Sequence, residues 1–175
     1  MNDYLFRLYG SSLIARKLFS RLLTVYIGKG CSGHGLKCLQ LNNNVHLDRN
    51  CIFFISDSFV SIGSQSYLGA NCNIRAVDAG ITIGDNVIIG PNVVIVSSDH
   101  RHVVSNTPFA TQGNISEEVK IGNNIWVGAG CIITRGSLIQ DDVVIAANSV
   151  TKGLLESGWL YGGAPARKLK RLEVL

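Results

Sequence analysis

The chain has 175 residues, enough for one domain with a substantial core; 46% of them are apolar but only 7% aromatic, so the apolar mass is Ile, Val and Leu, set among 19 glycines. That mixture favours many short strands joined by tight turns. The net charge of +4 gathers at the ends (Arg7, Arg16, Lys17 and Arg21; Arg167, Lys168, Lys170 and Arg171), so the near-neutral middle has no basic stripe to track a nucleic-acid backbone, and the ends read either as solvated faces or as contacts for a membrane surface or a phosphorylated ligand.

In chain order, residues 4–26 read as an amphipathic helix with Leu5, Leu8, Leu18 and Leu22 among its apolar positions. Two roles stay open for it: a cap over the first coil of the adjoining domain, or a helix lying on a membrane surface. Its cationic interruptions at Arg7, Arg16, Lys17 and Arg21 do not suit a secretory signal. Ile27-Gly28, Leu41, Leu47 and Phe53 then mark irregular beats of a repeat that becomes regular at Ile62-Gly63, Leu68-Gly69 and Ile74. It slips through Asp78-Ala79-Gly80 and resumes at Ile83-Gly84, Ile89-Gly90 and Ile95. Residues 101–120 break the beat entirely, and Ile121-Gly122, Val127-Gly128, Ile133, Ile139 and Ile145-Ala146 restore it. Gly162-Gly163-Ala164-Pro165 is a turn, and Ala166 to Leu175 is expected to form a short basic capping helix. The implied organisation is an N-terminal helix (1–26), a repeat domain (27–160) with a protruding loop at 101–120, and a C-terminal cap (161–175).

A period of six fits neither a helix nor an isolated strand. It fits a chain that makes a short strand, turns, and repeats, three hexads closing one triangular coil that stacks on the next at about 4.8 Å. The aliphatic residue of each hexad points inward, the small residue after it takes the corner, and pairs such as Asp85-Asn86 and Asn123-Asn124 make the turns. The expected fold is an all-β parallel β-helix. Cys31, Cys38, Cys51, Cys72 and Cys131, an odd number without a C-x-x-C pair, suit reduced buried thiols in the cytosol better than a disulfide or zinc framework.

Four stretches carry a resemblance: ANCNI at 70–74, IGDNVIIGPNVVIVSSDH at 83–100, IGNNIWVGAG at 121–130 and YGGAPARKLKRL at 161–172. From about Ile62 to Leu172 the chain resembles the hexapeptide-repeat acyltransferases, closest to the maltose, galactoside and polysaccharide O-acetyltransferases. The resemblance implies a left-handed β-helix, a homotrimer with sites between subunits, acetyl-CoA as co-substrate with no metal, and a sugar hydroxyl as acceptor. The acceptor is expected to belong to a surface polysaccharide or its precursor; the reduced cysteines suit a cytoplasmic protein, and the membrane alternative for the N-terminal helix would make it a peripheral contact at the inner face.

His100 is the candidate catalytic residue. It closes the SSDH hexad at the point where the beat fails, and it matches the position of the family's general base. An imidazole can take the proton from an attacking hydroxyl and return it to the departing thiolate. Asp99 beside it reads as a turn residue or as a partner for the ring, and His102 as solvated or substrate-contacting. His34 and His46 read as surface or coil-edge residues. Asn71 and Asp78 match the segment that holds the acceptor sugar, where an amide and a carboxylate suit ring hydroxyls, and both also suit plain turns. For CoA the resemblance offers Trp126, beside the channel or at the trimer seam, Ala129 and Ala147, which would admit the pantetheine arm, and Lys152 and Arg167, which would meet phosphates. Relatives carry one more aliphatic residue before Thr-Lys than Ser149-Val150-Thr151-Lys152 provides, and Lys168 is an alternative to Arg167. Cys131 reads as a structural thiol, and transfer as direct.

Three further readings remain open: N-acetylation of an amino sugar, antibiotic acetylation, and a non-catalytic structural β-helix. A γ-type carbonic anhydrase needs three convergent histidines, typically with an H-x-x-x-x-H pair that His34, His46, His100 and His102 do not provide.

Overall fold

The computed structural model describes residues 24–174. They form a left-handed parallel β-helix of about 6 turns whose walls are three sheets. The first face holds strands Tyr26–Ile27, His46–Leu47, Tyr67–Leu68, Ile88–Ile89, Trp126–Val127, Val144–Ile145 and Trp159–Gly162. The second holds Ser32–His34, Ile52–Ser56, Asn73–Val77, Val94–Val96, Ile132–Ile133 and Val150–Thr151, and the third Leu39–Leu41, Val60–Ile62, Ile81–Ile83, Val119–Ile121, Leu138–Ile139 and Leu154–Leu155. Register is in phase with the hexads: Leu68 pairs with Leu47 and Ile89, and Ile95 with Ile74 and Ile133.

Every hexad aliphatic read from the sequence between Ile62 and Ile145 is buried, and so are Ile27, Leu47 and Phe53 of the earlier coils, while Leu41 is half-buried against the core. Coiling therefore reaches back to Tyr26, which belongs to a strand. The expected N-terminal helix otherwise falls on residues 1–23, outside the described residues.

The corners explain the polar punctuation. Between the first and second faces, Asn50, Asn71, Asn92 and Asn148 all sit at φ 57–62°, a left-handed turn that asparagine tolerates. Asn50 Nδ2 donates to Asn71 Oδ1 and Asn71 Nδ2 to Asn92 Oδ1, each at 3.2 Å, an amide ladder running up the corner. Just inside it, Cys31, Cys51, Cys72 and Cys131 are buried, each thiol donating to a main-chain carbonyl of the next coil.

The C-terminal segment departs from expectation. Instead of a capping helix, Arg167–Arg171 forms a strand antiparallel to Trp159–Gly162. A ten-residue helix is marginal by itself, whereas the last strand of the first face presents an open edge whose N–H and C=O groups need partners. Trp159 strengthens the pairing, with Lys168 Nζ 4.7 Å and Arg171 Cζ 4.8 Å from its ring centre.

His46 lies in an aromatic column outside the first face, its ring centre 4.2 Å from that of Tyr26 and 5.0 Å from that of Tyr67. Burial holds its pKa below the ordinary histidine value, Asp48 opposing in part. A depressed folded value means that the fold prefers neutral imidazole. The stability is present above about pH 6.5 and falls as pH drops below it. His46→Phe is expected to flatten that acid limb, read as Tm at pH 7.5 and pH 5.5.

Candidate active site

The slip at Asp78-Ala79-Gly80 and the break at 101–120 share one cause. Both lie at the corner between the second and third faces. In two successive coils this corner carries a few extra residues, turned by Asp57 (φ 48°) and Asp78 (φ 58°). In the next coil the same corner opens into a β-hairpin, Ser98–His100 paired antiparallel with Asn114–Ser116. The excursion is thus a hairpin from Ser98 to Ser116 rather than a free loop to 120, because Val119–Ile121 already belongs to the third face.

Its root is clasped. Buried Ser97 donates its N–H to the Arg75 carbonyl at 3.1 Å and accepts the Glu117 N–H on its own carbonyl at 2.9 Å, while its Oγ accepts the Val77 N–H at 3.0 Å. Arg135, from the coil above, ties the two sides of the root together: Nε donates to Asp99 Oδ2 at 2.8 Å in the outgoing strand, and Nη1 pairs with Glu117, just past the returning strand. Gly136, at φ 70°, leaves room for the Glu117 carboxylate, which a Cβ there would strike. In the hairpin tip, Gln112 exchanges hydrogen bonds with the main chain of Val103 at 2.9 Å and donates to the Thr107 carbonyl at 2.7 Å.

His100 is exposed on this hairpin and pairs across it with Asn114. A cavity of about 400 Å³ between the hairpin and the outside of the second face is lined by Phe54, Arg75, Val77, Ser98, Asp99, His100 and Asn114. Asn114 Nδ2 donates to Asp78 Oδ2 at 3.4 Å, so Asp78 stands in the His100 neighbourhood. Asp99 is committed to Arg135 and does not orient the imidazole. His102 Nδ1 lies 3.0 Å from the His100 carbonyl.

The remaining expected residues lie elsewhere. Asn71 belongs to the amide ladder at the opposite corner of the coil that carries Asp78. With the strand Asn73–Val77 between them, the two are roughly 15–20 Å apart at the rise of a strand. Ala129 and Ala147 stack in successive coils at the asparagine corner; a Cβ on Gly128 would sit 2.5 Å from the Ala147 N. Arg167 is close by, paired with Gly162. Trp126 is 56% exposed on the first face, beside a cavity of about 680 Å³ walled by Ile88, Val144 and the tail from Arg171 to Val174. Lys152 follows Thr151 at the hairpin's corner of the second face, and Lys168 is engaged by Glu156 at 2.9 Å. None of Asn71, Ala129, Ala147, Lys152 and Arg167 lines the His100 cavity. Burial raises the Cys131 thiol pKa, which fits a structural group. Among the described residues no three His, Cys, Asp or Glu side chains group closely enough to hold a metal ion.

The hexad model described as the hexapeptide repeat of succinyl-transferase matches residues 59–97 and 118–151, the two arms on either side of the hairpin. This is a hexapeptide-repeat chain. It is 29% identical over 154 residues to a Mycobacterium tuberculosis protein designated "Probable acetyltransferase", covering 86% of this chain and 51% of that one. It is 34% identical over 122 residues to galactoside O-acetyltransferase of Escherichia coli, covering 69% of this chain and 58% of that one. The chain thus spans little more than half the length of these curated relatives. Among solved structures it superimposes on AntD, an N-acyltransferase from Bacillus cereus in complex with dTDP and 3-hydroxybutyryl-CoA, with a TM-score of 0.78 at 23% identity, covering 90% and 88% of the two chains. The fold is therefore one that is also found in an N-acyltransferase.

Sequence reading missed Phe54, Arg75, Asn114 and Arg135. Arg135 had a faint signal, a charged residue and a glycine where the hexad turns. Asn114 had none, since its place is set by pairing across the hairpin. Arg135→Met is expected to loosen the hairpin, lowering stability by about 1 kcal/mol, since the partners are half exposed. Urea denaturation of the two proteins side by side checks it.

Proposed function

We propose that the protein is an acyl-CoA-dependent acyltransferase that acetylates a sugar hydroxyl by direct transfer, with His100 as general base. The observation that carries this reading is that His100 and Asn114 line one cavity at the root of an anchored hairpin, with Asp78 hydrogen-bonded to Asn114 beside it. In the reaction, the imidazole takes the proton of the acceptor hydroxyl as its oxygen attacks the thioester carbonyl. The C–S bond breaks, and the proton passes to the departing thiolate. Asp78 and Asn114 would accept from and donate to neighbouring ring hydroxyls. Galactoside O-acetyltransferase supports the choice of oxygen as nucleophile, and AntD supports CoA on this fold.

The reading includes a homotrimer. Asn71, Ala129, Ala147 and Arg167 lie at one edge of the second face and His100 at the other. A groove between two copies would set one edge against the other, and the CoA arm would run along the alanine corner to reach the neighbour's His100. The location at the inner face of the membrane also belongs to this proposal, and among the described residues no helix is long and apolar enough to cross a membrane.

The test is thiol release from acetyl-CoA against a panel of sugars, amino sugars and nucleotide sugars, with the acylated atom identified by NMR. Transfer to oxygen supports the proposal, and transfer to nitrogen replaces it with amino-sugar acylation. Absence of acetyl-CoA binding by calorimetry overturns it in favour of a structural β-helix.

A further inference from the structure

Phe54 and Arg75 line the His100 cavity but have no part in the proton transfer described above. They belong to one column on the outside of the second face, where His34 pairs with Phe54 and Phe54 with Arg75 in successive coils. The His34 and Phe54 rings stack at 5.3 Å with 25° between their planes, and the Arg75 guanidinium carbon lies 4.6 Å from the Phe54 ring centre. Arg75 is exposed, and none of the four ion pairs among the described residues includes it. The carboxylates of its neighbourhood are engaged elsewhere, Asp99 and Glu117 with Arg135 and Asp78 with Asn114.

A guanidinium lying over an aromatic ring is attracted to it and so held in place, and among the described residues no hydrogen bond or ion pair takes the N–H groups of the Arg75 fork. That fork geometry matches a carboxylate or phosphate, which it binds with two parallel hydrogen bonds. Here the fork shares a cavity with the candidate base, so whatever it holds is presented to His100. A cavity of about 400 Å³ is within the usual range for small ligands, with room for a monosaccharide bearing one charged substituent.

We propose that the acceptor is an anionic sugar, carrying a phosphate or a carboxylate, and that Arg75, braced on Phe54, binds this charge and orients the hydroxyl toward His100. The proposal rests on the acyl-transfer reading for the role of His100, but its binding test does not depend on turnover. Glucose 1-phosphate, glucuronate and glucose are titrated calorimetrically into the full chain, wild type and Arg75→Gln, with CoA titrated into both.

The expected result is that at least one charged sugar binds ten or more times tighter than glucose. Arg75→Gln is expected to weaken that binding about 10–100-fold, the range of a lost charge-assisted pair, and to leave glucose and CoA affinities unchanged. Preference for glucose 1-phosphate alone assigns the phosphate, for glucuronate alone the carboxylate, and for both a subsite that reads charge. The proposal is overturned if no probe binds, if glucose binds as well as the charged sugars, or if the substitution weakens all three equally. A protein that keeps the charge preference but fails to bind CoA loses the acyltransferase reading and retains the anion subsite.

Discussion

His100→Ala is expected to lower kcat for acyl transfer by about 10²–10⁴-fold, the usual contribution of a positioned general base, while Tm stays within a degree or two of wild type. The two halves of this expectation come from different features. The catalytic half follows from chemistry: a neutral alcohol is a poor nucleophile, and no other group facing the cavity is as well suited to accept its proton near neutral pH. Asp99 is tied to Arg135, and Asp78 accepts from Asn114. The stability half follows from placement: the imidazole is exposed on a hairpin whose anchorage comes from Ser97, Arg135 and Gln112 and not from His100. Residual activity within a factor of three of wild type would remove His100 from the catalytic role. A large fall in Tm would show that the ring supports the hairpin.

Phe53→Ala is expected to cost about 3–5 kcal/mol, the range for emptying a buried phenylalanine site. Phe53 is fully buried, the bulkiest such side chain among the described residues, and it pairs with Gly33 below and Ile74 above. Gly33, directly beneath, has no side chain to move into the void, and a Cβ there would strike the Phe53 carbonyl. In a solenoid each coil rests only on its neighbours, so the damage should fray the coils from Tyr26 to Leu47 before it reaches the hairpin. Chemical denaturation measures the loss. Hydrogen exchange should show protection falling first in strands Tyr26–Ile27 and Ser32–His34 and last around Ile95. Uniform loss of protection along the whole helix would contradict a coil-by-coil stack.

Much of this was legible in the order of residues. A six-residue beat of Ile, Val and Leu fixes the strand, the turn and the inward direction at once, because any other register would put Ile74 or Ile133 into solvent. The asparagines and glycines that follow the beat are legible for the same reason: the corner needs a left-handed residue or no side chain. The irregular beats at Ile27, Leu47 and Phe53 were readable too, since burial tolerates variation in size so long as the position points inward.

The C-terminal segment was misread because its local signal, a basic stretch with apolar residues at Leu169 and Leu172, suits a helix as well as a strand. The decision came from the open edge of Trp159–Gly162, a non-local partner with no trace in the segment itself. The site was half legible in the same way. His100 stood out because the beat stops beside it and because it matches the family's base, and Asp78 through the resemblance of its segment to the one that holds the acceptor sugar.

What the sequence by itself determined is therefore the repeat: which residues face the core, where the coils turn, and at which residues the excursion leaves the coil. What only the tertiary structure decided is which residues of different coils share a surface. The placing of Phe54 under Arg75, the reach of Arg135 to Asp99 and Glu117, and the separation of Asn71 from Asp78 depend on the number of residues per coil and on which corner each coil has reached. Positions about 20 residues apart become neighbours by stacking, whereas positions seven apart can stand at opposite corners. The physical reason is that hydrophobic periodicity encodes the inward direction residue by residue, while outward neighbours are set by accumulated coil length, to which every insertion in every turn contributes.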